Sequence, residues 1–137
     1  MSVNTTKVFD DNSFLPIVYE ANFTVDLEIF EEFKAWLQEH LSTTLNTKAG
    51  FRDAEIFQRD PQKDGSDEIK NPDQVHKYIT VLFEIDNKEN IDHYLKEESS
   101  KVKETLESKF KKSSVTTSYR ILYPVSLWAK RKSLEKS

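Results

Sequence analysis

Six apolar periods run in the order strand, helix, strand, strand, helix, strand between Phe14 and Tyr123, and that order constrains the fold more than any single residue does. Right-handed crossovers put the first and third strands at the centre of one sheet and both helices on the same side of it. The expected class is therefore α+β: a ferredoxin-like βαββαβ unit with a four-stranded antiparallel sheet and two helices on one face. The opposite face is left needing a cover, and function is sought there.

The first strand is written in the alternation of Ile17, Tyr19, Ala21, Phe23 and Val25 with Val18, Glu20, Asn22 and Thr24. A helix follows, with Asp26 as the expected N-cap and Phe30, Phe33, Leu37, Leu41 and Leu45 at spacings of three and four. Asn46 to Gly50 ends it. The second strand is expected over 51–59, charged by Asp53, Glu55 and Arg59 as suits a sheet edge. The third, Tyr78 to Ile85, alternates cleanly, and a second helix over 87–110 carries its seam on Ile91, Leu95, Val102, Leu106 and Phe110. The last strand, 115–123, stops at Pro124. Three units result: a flexible tail over 1–13, the domain over 14–124 and a second tail over 125–137. Between the middle strands, residues 60–75 hold Pro61, Gly65, Pro72 and many charges. Too polar to fold on their own contacts, they are read as a mobile loop, with a functional lid as the alternative.

At 137 residues the chain has the length of one domain. Nine Phe, five Tyr and two Trp concentrate burial into few bulky side chains, so the core is expected to be aromatic. A net charge of -4 repels phosphate backbones and anionic membranes, which sets nucleic acid and membranes aside as partners. The first-strand run VYEANF (Val18 to Phe23) resembles an RNA-recognition strand superficially. Aligning Tyr19 as the stacking aromatic, however, would turn Glu20 into the core, and Ile79 and Val81 stand where glycines belong. With no cysteine there is no thiolate and no disulfide. Met1 to Ser13 lacks the apolar run of a signal peptide, and no stretch of about 20 apolar residues exists to span a bilayer. A soluble, cytoplasmic protein is expected. Two glycines, Gly50 and Gly65, make neither a dinucleotide fingerprint nor a phosphate-cradling loop, and the three His lack metal-site spacing. No cofactor or metal is expected.

Four stretches carry a family resemblance: EEFKAWLQEHL (Glu31 to Leu41), AGF (Ala49 to Phe51), IDHYLKEESSKVKETLESKF (Ile91 to Phe110) and SYRILYPV (Ser118 to Val125). From Val18 to Val125 the chain resembles domain of unknown function 4286, placed in the dimeric α/β-barrel superfamily. The resemblance implies a ferredoxin-like fold and a homodimer, and brings no established activity with it.

Candidate site residues follow from strand parity. If Ile17, Tyr19, Ala21 and Phe23 face the helices, then Glu20, Asn22, Tyr78 and Glu84 face away, together with apolar Val18 and Leu82. In a dimer two such faces would pack together, burying about 800 Å² per partner, with room for a small ligand between the sheets or between sheet and helices. Glu20 and Glu84 are the acids expected in a partly dry setting, and Arg120 has the parity to neutralise one of them. His40, on the flank of the first helix, is a candidate acid or base. Glu20, Glu84 and His40 are thus the catalytic candidates, expected around one cavity. Trp36 and Tyr94 are candidate cavity walls, and Glu98, a carboxylate interrupting an apolar seam, must meet a partner, water or a ligand. The plainer reading makes the charges a satisfied interface network and the aromatics core. Two functions remain: a small-molecule-binding protein, with cofactor-independent chemistry as its catalytic version, and a non-enzymatic interaction module that dimerises through the open sheet face.

Overall fold

The computed structural model describes residues 4–9, 15–69, 71–111 and 113–131. In chain order the elements are β1 (Asn4–Phe9), β2 (Ile17–Asp26), α1 (Phe30–Thr47), β3 (Phe51–Gln58), β4 (His76–Ile85), α2 (Lys88–Glu97), α3 (Ser99–Lys109), β5 (Val115–Leu122) and β6 (Leu127–Arg131). Four strands form one antiparallel sheet in the order β3-β4-β2-β5, which is the ferredoxin-like order with the two best-alternating strands at its centre. β1 and β6 form a separate two-stranded antiparallel ribbon.

Register puts each expected side chain on its face. Tyr19 lies opposite Phe83, Ala21 opposite Val81 and Phe23 opposite Ile79, all on the helix side. Against them α1 presents Phe33, Leu37 and Leu41, while α2 and α3 add Ile91, Tyr94 and Leu106. The core is aromatic: Phe33 sits 5.3 Å from Phe23 and 6.2 Å from Phe110 between ring centroids, and Tyr19 stacks on Phe83 at 5.6 Å. Gly50, at φ +82°, turns the chain from α1 into β3 where a Cβ would come within 2.1 Å of the Asn90 side-chain nitrogen Nδ2. Asn87 caps α2 there, its side-chain oxygen accepting from the Asn90 N–H at 2.9 Å.

Three local expectations are corrected. Asp26 makes no side-chain cap; it ends β2, a short 3₁₀ turn over 27–29 intervenes, and its carboxylate lies 3.1 Å from His76 Nε2 instead. The second helix is two, broken at Glu98, whose carboxylate meets Lys48 Nζ at 2.9 Å and Lys101 Nζ at 3.5 Å. Turning a carboxylate out of the seam to two ammonium groups avoids leaving it buried and unpaired. The segments read as tails contain paired strands: the described part of 1–13, Asn4–Phe9, runs against Leu127–Arg131, while residues 1–3, 10–13 and 132–137 lie outside the described residues. Among the described residues no helix is long and apolar enough to cross a membrane.

Candidate functional site

One end of the open sheet face is covered by the protein's own charged loop. Glu20 and Arg120 are direct partners across β2 and β5, and they close a two-pronged ion pair with Nε and Nη2 each 2.9 Å from a carboxylate oxygen. Asn22 donates to Glu20 Oε2 at 2.9 Å and its carbonyl accepts from the Thr80 hydroxyl, its β4 partner, at 2.6 Å. Arg59, one residue past β3, reaches the same carbonyl at 3.5 Å. Its other nitrogens hold the loop: Nε donates to Asp64 Oδ2 at 2.7 Å, and Nη2 to Asp64 Oδ1 at 3.0 Å and to the Ser66 hydroxyl at 2.5 Å. Further along, Glu68 accepts from the Ser118 hydroxyl on β5. The loop expected to be mobile is therefore tied through Glu68 to β5 and through Arg59 to β2, and Ile69 within it is buried.

Under the loop lies a cavity of about 420 Å³ walled by Glu20, Asn22, Arg59, Asp64, Glu68 and Arg120, with Lys63, Ser66 and Thr80 also on its lining. Three carboxylates balance three cations there. The Arg120 guanidinium draws the Glu20 carboxyl below the usual carboxylate range, against a smaller opposing effect of burial. The Arg59 guanidinium, helped by the Ser66 hydroxyl and N–H, holds the Asp64 carboxyl far below that range. Both acids are ionised at neutral pH, which suits a binding or latching network and not a proton donor.

The three catalytic candidates are not brought together. His40 lies on α1, behind the sheet from Glu20, with its ring stacked on Trp36 at 4.8 Å between centroids. Burial, then the Lys48 charge, lowers its pKa, so the imidazole is neutral near pH 7. Glu84 shares the open face with Glu20 but pairs with Val18 and Asp53 towards the other end, away from the cavity. The physical reason for the separation is that helix α1 covers the face of β2 opposite to the one that carries both acids. Of the proposed cavity walls, Trp36 packs on Phe33 at 5.8 Å, and Tyr94 lies 5.6 Å from Tyr19 and 5.0 Å from Phe51 within the core, its phenol pushed up to about 12 by burial. Tyr78 is buried at the start of β4 beside His76.

Sequence reasoning missed Arg59, Asp64, Ser66 and Glu68. A signal was present in Asp64-Gly65-Ser66, a turn sequence in which the Asp oxygen accepts from the N–H two residues on, here at 2.9 Å.

A second opening lies on the helix side of the sheet, between α3 and the edge strand β5. It has a volume of about 370 Å³ and a floor of Tyr19, Ala21, Phe23, Val102 and Leu106. It exists because α3 begins with Ser99 and Ser100 and continues to Lys103 where larger apolar side chains would close the layer. From β5, Thr117 and Tyr119 face it, as the direct partners of Phe23 and Ala21. Tyr19 lies 5.6 Å from Tyr119, and burial, reinforced by Tyr94 and Tyr119, raises the Tyr19 phenol far above its ordinary value, so it remains a neutral hydroxyl.

With this geometry in place, the chain matches Domain of unknown function (DUF4286) over residues 16–125, and it belongs to that family. A solved structure described as a conserved protein from Methanosarcina mazei Go1 is 20% identical, covering 80% of this chain and 94% of that one at a TM-score of 0.51. At that identity the likeness is one of fold. No curated protein matches.

Proposed function

We propose that the protein binds a small molecule in the groove between α3 and β5, on the helix side of its sheet. What supports this is the residual exposure of a central strand. Tyr19, Ala21 and Phe23 line the groove and keep 8%, 7% and 7% of their surface although they lie on a central strand. Those three lie on the groove floor, where apolar surface is left without protein cover. The volume falls within the range of about 300–1,000 Å³ common to ligand sites. The reading is one of binding, since the groove sets no histidine beside a reacting position.

The test is an NMR titration with 1-octanol as a neutral apolar probe. Saturable shifts confined to amides around Tyr19, Phe23, Leu106 and Thr117 are expected, and Thr117→Trp, a change at an exposed strand position, should weaken them about tenfold by filling the groove. Shifts scattered over the surface and indifferent to that substitution would remove the proposal.

A second reading, in which a twin subunit packs on the open sheet face and the protein serves as an interaction module, draws on the apolar end of that face. Val18 and Leu122 are direct partners, Leu82 lies one step along, and Leu122 is 39% exposed. The molar mass in solution decides it: a homodimer at micromolar concentration is expected, and the mass of one chain there would end it.

A further inference from the structure

Resting on the groove reading above, we infer that the groove's ligand is an amphipathic monoanion, an apolar chain or ring ending in a carboxylate. The argument starts from which polar groups line it. Lys103 is its charged side chain, and no carboxylate joins the lining. Among the described residues Lys103 makes no ion pair. The other polar side chains are all hydroxyls, among them Ser100 and Thr117 on the walls and Tyr19 and Tyr119 at the floor and rim. Hydroxyls serve as donors or acceptors, but an ammonium only donates, so the site as a whole complements an acceptor carrying negative charge. The floor of Ala21, Phe23 and Leu106 complements an apolar body.

Position within the groove agrees. A second opening of about 300 Å³ continues the first and shares Lys103, Leu106 and Thr117 with it, so Lys103 stands where the two meet. Glu107 and Lys111 line only the outer opening. A ligand whose apolar part lies inward on Phe23 would present its head near Lys103, with the acidic Glu107 one turn farther out. The overall charge of -4 makes an anion the less expected guest on long-range electrostatics alone, which places the recognition on local groups.

The experiment compares octanoate, 1-octanol and octylamine against the whole chain by the amide shifts around Leu106 and Thr117. Octanoate costs more than octanol to desolvate, so a groove without charge recognition would favour the alcohol. Octanoate is expected to bind about tenfold tighter than octanol, and octylamine weakest. Lys103→Gln should erase the octanoate advantage over octanol, Lys103→Arg should restore most of it, and Lys109→Gln, on the same helix outside the lining, should change nothing. Equal or tighter binding of octanol at the same amides, or an octanoate preference that survives Lys103→Gln, would overturn the anion inference and leave the groove intact as a binding site. Failure of all three probes to move those amides would overturn the groove reading and this inference together.

Discussion

Replacing Phe33 with Ala is expected to lower the unfolding free energy by about 3–5 kcal/mol, the largest effect of any single truncation in the core. Phe33 is 0% exposed, and its ring touches three separate parts of the fold: Phe23 on β2 at 5.3 Å, Trp36 on its own helix at 5.8 Å and Phe110 just past α3 at 6.2 Å. Removing the ring leaves a hole walled by other aromatic rings, which are stiff and cannot collapse into it. A domain holds about 5–15 kcal/mol in total, so this one change takes a large part of it. Urea unfolding followed by tryptophan fluorescence checks the prediction through the midpoint, which should fall with the slope unchanged. A loss under about 1 kcal/mol would mean that the aromatic cluster is not the joint between α1 and the sheet.

The second large effect concerns the loop over the open face. Arg59→Met keeps the apolar stem but removes every guanidinium donor that Arg59 offers to Asp64, Ser66, Glu68 and Asn22. Amide exchange of residues 60–69, and of the Ser66 N–H that Asp64 accepts, should then accelerate about tenfold or more, while the core strands keep their protection. In the unmodified chain the pH dependence has a definite sign. A carboxyl whose folded pKa is depressed contributes stability that is present above its unfolded value and is lost as pH falls through the folded value. An unfolded aspartate titrates near about 3.9, and Asp64 in the folded chain titrates well below that. Protection of the loop should therefore hold from neutral pH down to about 4 and disappear only under more acidic conditions. Loss of protection between pH about 6 and 5 would contradict an Asp64 latch, because no depressed carboxyl titrates there.

Strand parity was the part of the fold most open to sequence reasoning. The alternation in Ile17 to Val25 and in Tyr78 to Ile85 has a period of two that only a strand satisfies, and burying one face of each fixes which residues look the other way. The Glu20–Arg120 pair follows from the same parity once β2 and β5 are neighbours. Other features depend on contacts between distant residues. The break at Glu98 answers to Lys48, fifty positions earlier at the end of α1, so the local pattern reads as one helix. Loop docking depends on Arg59 reaching Asn22 and Glu68 reaching Ser118, pairings with no local trace in a segment whose composition resembles a solvated loop. His40 belongs to the helix layer and Glu20 to the far side of the sheet, a separation that three-dimensional layering decides and residue type does not. The groove came from the small side chains at the start of α3, where an apolar seam drawn through Val102 and Leu106 says nothing of the gap beside it.

The two-stranded ribbon lays Asn4 directly across from Arg131, so the outermost residues of β1 and β6 stand side by side. A short peptide joining those two positions would therefore span the gap without stretching either strand.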